Sequence, residues 1–208
     1  MAEQLSWVPS GPVRGGGDMI LLREFHELRP AGGFDLVMAD PPWRSEMWSQ
    51  KGLKKSPEAH YQTMPLDQIC AMPVEALAAP DCLLWLWARG AQLQNAITVL
   101  EAWGFALKTL GWWAKMTPNG KQAFGPGYIF RNAGEPYLIG TRGAPKTSKS
   151  VRDTIFGLRR EHSRKPEEAY RSAERLMPEA RRLDLFSRQQ RPGWSSWGDE
   201  AGKFAGPG

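Results

Sequence analysis

The chain has 208 residues, 41% hydrophobic and 24% charged, which fits one domain with modest appendages and excludes wholesale disorder. No apolar run reaches the roughly 18–20 residues that cross a bilayer, the N-terminus lacks the basic-then-apolar order of a secretory leader, and two cysteines neither staple a small fold nor make a four-ligand zinc site. The net charge of +5 is uneven: between Arg142 and Lys165 eight basic residues oppose two acids, which points to a phosphate-rich partner, with a solvated loop as the plainer reading.

In chain order, residues 1–17 are rich in Gly and Pro and read as a flexible segment. Residues 18–200 read as a single domain and 201–208 as a flexible tail. Residues 34–39 (FDLVMA) form a short apolar run closed by Asp-Pro-Pro, the pattern of a buried strand. Residues 44–62 are polar and form a long loop. A helix over 66–79, interrupted near Pro73, follows. The run 82–88 (CLLWLWA) predicts a second buried strand, and Leu93, Ile97, Leu100 and Trp103 carry helical spacing within 91–103. Strands over 107–115 and 135–141 flank a second loop at 116–127. The basic segment is a third loop. Residues 166–176 start with Pro and acids, as helices do, and 182–188 (RLDLFSR) is a last strand. Strands alternating with helices predict an α/β architecture with a mostly parallel sheet and helices on both faces. In such sheets ligands sit at the carboxyl ends of strands, here marked by Asp40 and Asp184.

The sharpest local feature is Asp40-Pro41-Pro42-Trp43, directly after a buried strand. Two prolines fix their own φ and push each preceding residue toward extended backbone, so the corner is stiff. Asp40 offers a carboxylate, Pro41 a carbonyl, and Trp43 a flat face expected at the rim. Two adjacent acceptors suit an aromatic ring with an exocyclic amine. Such an amine is a poor nucleophile because its lone pair is delocalised into the ring. Acceptors on both its hydrogens favour the charge that develops when it attacks. A base within a duplex cannot reach such a corner, so it is flipped out or the substrate is single-stranded. The tripeptide alone also reads as a plain strand-ending turn.

Further motifs accompany this corner: His60-Tyr61-Gln62-Thr63-Met64, Gly111-Trp112-Trp113-Ala114-Lys115, Arg131-Asn132-Ala133-Gly134-Glu135, Ser163-Arg164-Lys165-Pro166-Glu167-Glu168, Leu183-Asp184-Leu185-Phe186-Ser187-Arg188, and Pro192-Gly193-Trp194 with Trp197-Gly198. With these, the chain resembles the S-adenosylmethionine-dependent adenine N6-methyltransferases, the family of the eukaryotic mRNA adenosine methyltransferase catalytic subunit, in its short bacterial and phage form. The resemblance implies a Rossmann-like class I methyltransferase sheet with a permuted motif order, the catalytic motif preceding the cofactor motif. It implies Asp40, Pro41, Pro42 and Trp43 as catalytic residues and S-adenosylmethionine as cofactor. Asp40, Lys165, Asp184, Phe186, Arg188, Asp199 and Glu200 are its implied cofactor contacts. Asp184 stands where the family usually has Glu, and Asp199 where it has Asn. On the substrate side it implies Trp43, Lys115, Arg131, Asn132 and Glu135, to which the basic segment adds Lys146, Lys149 and Arg152.

The resulting expectation is methyl transfer to the N6 amine of adenine in DNA, with RNA or a non-catalytic nucleic-acid-binding role as alternatives. The absence of an added RNA-binding module tilts the reading toward DNA. No separate target-recognition domain fits in this length, so either specificity is short and weak or a second subunit, in a homodimer or as a partner, helps. No metal, no membrane contact and a cytoplasmic setting are expected. His60, His162, Cys70 and Cys82 read as structural.

Overall fold

Strands of four to eleven residues form where apolar side chains cluster, most continuously in FDLVMA and CLLWLW, and Pro, Gly and polar clusters separate them. The computed structural model describes residues 16–44, 63–127, 129–160 and 164–198, with side chains from residue 20 onward. The elements run α1 (Gly16–Leu28), β1 (Phe34–Ala39), α2 (Leu66–Ala71), a 3-10 turn (Val74–Ala76), β2 (Ala78–Trp87), a second 3-10 turn (Gly90–Gln92), α3 (Leu93–Ala102), β3 (Ala106–Met116), β4 (Gly134–Arg142), β5 (Thr154–Leu158), α4 (Glu167–Leu176), β6 (Arg182–Leu185) and β7 (Trp194–Trp197). The seven strands make one sheet in the order β5-β3-β4-β2-β1-β6-β7.

The sheet is mixed. β1 pairs parallel with β2 and β6, β6 with β7, and β3 with β5, whereas β4 is antiparallel to both β2 and β3. The physical reason for the reversal is the connection. Residues 117–133 join β3 to β4 without a helix, and a chain that turns back without a crossover must pair antiparallel. Side chains alternate across the sheet. Val37, Ala39, Leu84, Leu86 and Leu138 face one apolar layer with Phe25 of α1, Ile69 of α2 and Val99 and Leu100 of α3. Leu36, Met38, Leu83, Trp85, Trp87, Trp113 and Tyr137 face the other, against Ala169, Tyr170 and Ala173 of α4. The result is an α/β structure with helices on both faces.

Several boundaries differ from the sequence reading. α1 begins at Gly16, inside the segment 1–17 expected to be flexible. It is held by Leu21, Phe25 and Leu28, one helical stripe packed on the core. The helix expected over 66–79 stops at Met72, ahead of Pro73, and Ala78 already belongs to β2. β5 lies within the expected basic loop, and β7 was not expected at all. The last expected strand ends at Leu185, because Phe186 turns out of line with φ +64. Gly33, with φ +82, lets the chain enter β1. A Cβ there would stand 2.6 Å from the Ala78 carbonyl oxygen.

Candidate active site

Four charged residues meet at one edge of the sheet. Asp40 follows the last residue of β1, Lys115 is the last but one of β3, and Glu135 is the second of β4. Because β4 runs against its neighbours, its first residues reach the edge where β2 and β3 end, with Glu135 beside Trp113 and Tyr137 beside Trp87. Lys165 precedes Pro166, whose extended backbone (φ −72, ψ 146) caps α4 and stops the helix from starting earlier. Lys165 Nζ lies 2.9 Å from Asp40 Oδ2 and donates to Glu135 Oε2 at 3.0 Å. Lys115 Nζ donates to Glu135 Oε1 at 2.5 Å. The signs alternate along the chain Asp40, Lys165, Glu135, Lys115. Indole rings form its floor: Lys165 Nζ is 5.2 Å from the Trp87 ring centre and Lys115 Nζ 4.8 Å from that of Trp113.

Electrostatics divide this quartet. Burial pushes the Glu135 carboxyl up, but Lys165 and Lys115 together outweigh it and hold it at about 2. Burial disfavours the Lys165 ammonium, but Asp40 and Glu135 outweigh that and hold it firmly protonated. Asp40 goes the other way. Burial raises its pKa, Lys165 opposes, and the neighbouring Glu135 charge raises it further. Two carboxylates share one ammonium, and Glu135 also has Lys115 in contact, whereas Arg89 adds only the smallest of the effects on Asp40. Asp40 is therefore the more basic acid, with 25% of its side chain still exposed.

The Asp-Pro-Pro-Trp corner is more tightly used than its sequence implied. The Pro41 carbonyl accepts from the Trp43 N–H at 2.8 Å and the Pro42 carbonyl from Met64 N–H at 2.9 Å. Each carbonyl oxygen keeps a second lone pair. Trp43 is not a rim face here. It is 5% exposed, belongs to the core, and its indole N–H donates to the Trp87 carbonyl at 3.2 Å. Its ring braces the corner from beneath.

A second polar cluster stands beside the first. In parallel register Ala39 pairs with Leu185, and Asp40 N–H reaches the Leu185 carbonyl at 3.4 Å. Asp40 and Phe186 thus leave adjacent strands at one edge. Phe186 holds φ +64, a costly conformation for a residue with a side chain. Its ring meets Trp197 edge-on at 5.8 Å. Asp184 is buried, and its Oδ2 accepts from Tyr170 Oη at 3.1 Å and Ser187 Oγ at 2.9 Å. Burial raises its pKa to about 7, and the two hydroxyl donors only partly offset this. The Arg191 guanidinium lies 3.6 Å over the Tyr170 ring and pairs with Glu167, which also pairs with Arg160. Arg188 is half-buried next to this cluster in sequence.

The structure therefore brings together Asp40, Pro41, Pro42, Lys165, Glu135 and Lys115, with Asp184 on the adjacent strand β6 and Phe186 and Arg188 just after it. It leaves Arg131 exposed on the 117–133 connection, its guanidinium 5.9 Å from the Phe124 ring. Asn132, on the same connection, pairs its backbone with Gly125. Lys146, Lys149 and Arg152 are exposed on the segment before β5. Asp199, Glu200, His60, His162 and most of the loop at 44–62 lie outside the described residues. Sequence reasoning missed Tyr170 and the Trp87 floor. Tyr170 had a weak signal, being an aromatic on the buried stripe of α4 three residues after Glu167. Cys82 is buried and its thiol is pushed by burial to about 12, while Cys70 is half-buried. Among the described residues no group of three or more His, Cys, Asp or Glu could hold a metal, and no helix is long and apolar enough to cross a membrane.

Comparison with known proteins finds one family and several similar relatives, three of which are informative. Residues 34–200 match the MT-A70 family. The chain is similar to the Type II methyltransferase M.MunI of Mycoplasma sp, 30% identical over 190 residues that cover 82% of this chain and 79% of that one. It is also similar to the N(6)-adenosine-methyltransferase MT-A70-like protein of Arabidopsis thaliana, 33% identical over 81% of this chain, and to the N(6)-adenine-specific methyltransferase METTL4 of Homo sapiens, 30% identical over 82% of it. The match spans only 24% of the plant protein and 38% of the human one.

Proposed function

The chain belongs to the MT-A70 family, and on that premise we propose that it transfers a methyl group from S-adenosylmethionine to the exocyclic N6 amine of adenine in DNA. The observation that carries this is the Asp40 corner: a basic carboxylate fixed by Lys165 beside a proline carbonyl, at the edge where the strands end. We place the catalytic domain at 18–200 and read the sheet as a Rossmann-like class I methyltransferase sheet in permuted order, since the Asp40 motif precedes the Asp184 motif.

The residues fit the proposed cofactor. Lys165 has three N–H donors and spends two on Asp40 and Glu135, so one is left for a carboxylate. Asp184, Phe186 and Arg188, with Asp199 and Glu200 farther along the chain, are assigned to its ribose and adenine end. When bound, S-adenosylmethionine supplies an electrophilic methyl carbon on a sulfonium. Asp40 and the second lone pair of the Pro41 carbonyl take the two amine hydrogens and orient the nitrogen lone pair. An amine nitrogen that gained the methyl there, the sulfur leaving as a neutral thioether with the bonding pair, would be cationic and strongly acidic. Its proton passes to Asp40, whose raised pKa suits it to accept. Glu135 stays ionised and keeps Lys165 and Lys115 in place. Trp43 positions the corner from the core.

DNA is favoured because the Type II methyltransferase is matched over most of both chains. RNA is the second reading, since relatives named for adenosine, a ribonucleoside, are matched over most of this chain. Turnover with labelled S-adenosylmethionine on matched DNA and RNA strands decides between them. DNA is expected to turn over faster. No transfer to either strand by a protein that binds the cofactor would leave the non-catalytic role.

A further inference from the structure

The 117–133 connection carries an unusual surface. It leaves the sheet after Met116 and returns at Gly134, so its ends adjoin Lys115 and Glu135 of the charged quartet. It is fixed by hydrogen bonds: Ala123 N–H to the Lys115 carbonyl at 2.7 Å, Lys115 N–H to the Ala133 carbonyl at 3.0 Å, and a reciprocal pair between Gly125 and Asn132 at 2.8 and 3.1 Å. Yet Phe124 is 62% exposed and Phe130 84%. Alongside, β5 turns Ile155 and Gly157 inward and leaves Phe156 68% exposed, in a register two residues past the half-exposed Trp112 of β3. Two exposed rings on one tied hairpin and a third on the strand that borders β3 are more than scattered surface apolars.

Charge identifies the occupant. Residues 106–160 hold ten basic residues and two acidic ones, and one of those acids, Glu135, is already neutralised by two lysines. Lys121, Arg131 and Arg159 are exposed on the same two segments, with the Arg131 guanidinium 5.9 Å from the Phe124 ring. A second copy of the chain would bring like charges together across this face. A polyanion would not. Rings that stand free can stack only on bases whose own faces are free, which excludes an intact duplex. We propose that Phe124, Phe130 and Phe156, together with Lys121, Arg131 and Arg159, form a stacking surface for single-stranded nucleic acid flanking the target adenine. This rests on the nucleic-acid methyltransferase reading and adds to it the strand state of the substrate and the residues that hold it.

The test is fluorescence anisotropy with the full chain and a labelled DNA strand of about 12 nucleotides, as a single strand and annealed to its complement. Wild type is expected to bind the single strand at least about tenfold more tightly than the duplex. Phe124→Ala/Phe130→Ala is expected to weaken single-strand binding roughly tenfold per ring, with an unchanged salt slope, and to raise KM for the strand but not for S-adenosylmethionine. Phe156→Ala serves as an independent second variant. Affinity equal to wild type in both variants overturns the proposal, as does tighter binding of the duplex. A wild-type dimer in sedimentation that Phe130→Ala dissociates overturns it in favour of a second copy. Stacking-dependent binding without methyl transfer would keep the surface and sink the enzymatic reading. Transfer with unchanged KM in the variants would do the reverse.

Discussion

Asp40 and Glu135 are both largely buried and both touch Lys165, yet only Glu135 is held below its ordinary pKa, because Lys115 sits against it as a second lysine. That asymmetry separates an acid that anchors from an acid that accepts. Trp43 illustrates how far a residue's role depends on distant contacts. As part of a motif it read as a stacking face, but its partner is the carbonyl of Trp87, 44 residues away, and no local pattern announces that. Trp43→Ala is therefore expected to cost about 3–5 kcal/mol of stability, seen as a lowered urea midpoint, before any effect on turnover. A fully stable variant would return Trp43 to the surface. Asp184 makes a pH prediction. Its pKa rises from 3.8 unfolded to about 7 folded, so between those values the folded state holds a proton that the unfolded state has released. Stability from this group is complete below 3.8, falls as pH rises toward about 7, and is level above. Asp184→Asn is expected to flatten that decline by up to about 1.4 kcal/mol per pH unit. Urea midpoints that slope alike in both proteins would count against a buried, protonatable Asp184.

At the level of elements, the central strands were legible because they are uninterrupted apolar runs closed by breakers. β1 was read with its observed bounds, and β2, β3 and β4 within a few residues. β5 and β7 escaped for a physical reason. They are the two edge strands, only five and four residues long, with an incomplete apolar signal. α1 escaped because its glycine-rich start hid the Leu21, Phe25, Leu28 stripe. The joint between β3 and β4 depends on one glycine. A Cβ at Gly111 would stand 2.2 Å from the Tyr137 ring. That ring stacks on Trp85 at 4.2 Å and its hydroxyl donates to the Asp153 carbonyl, so it cannot retreat. Gly111→Ala is expected to destabilise by about 3 kcal/mol, read as a drop in Tm. An unchanged Tm would mean that the Tyr137 ring is free to move.

At the site, strand ends supply Asp40, Glu135 and Lys115, and segments between strands supply Lys165 and the exposed Lys146, Lys149 and Arg152. The members of the quartet were all named from sequence, but their pairing was not, because it depends on the reversal of β4 and on register between distant strands. The basic segment was legible from composition, and Lys146, Lys149 and Arg152 are indeed exposed. Replacing all three with Ala is expected to weaken nucleic-acid binding regardless of sequence and to lower the salt slope by about two to three. An unchanged slope would assign binding to other surfaces.

The central claim is that Asp40 grips the amine that becomes methylated. Its most direct test is nucleoside analysis of adenine-containing single strands treated with labelled S-adenosylmethionine and either wild type or Asp40→Asn. The account requires N6-methyladenine from wild type and a rate at least about 100-fold lower from the variant, with the variant's Tm retained. A methyl group on another atom, or equal N6-methyladenine from both proteins, would contradict it.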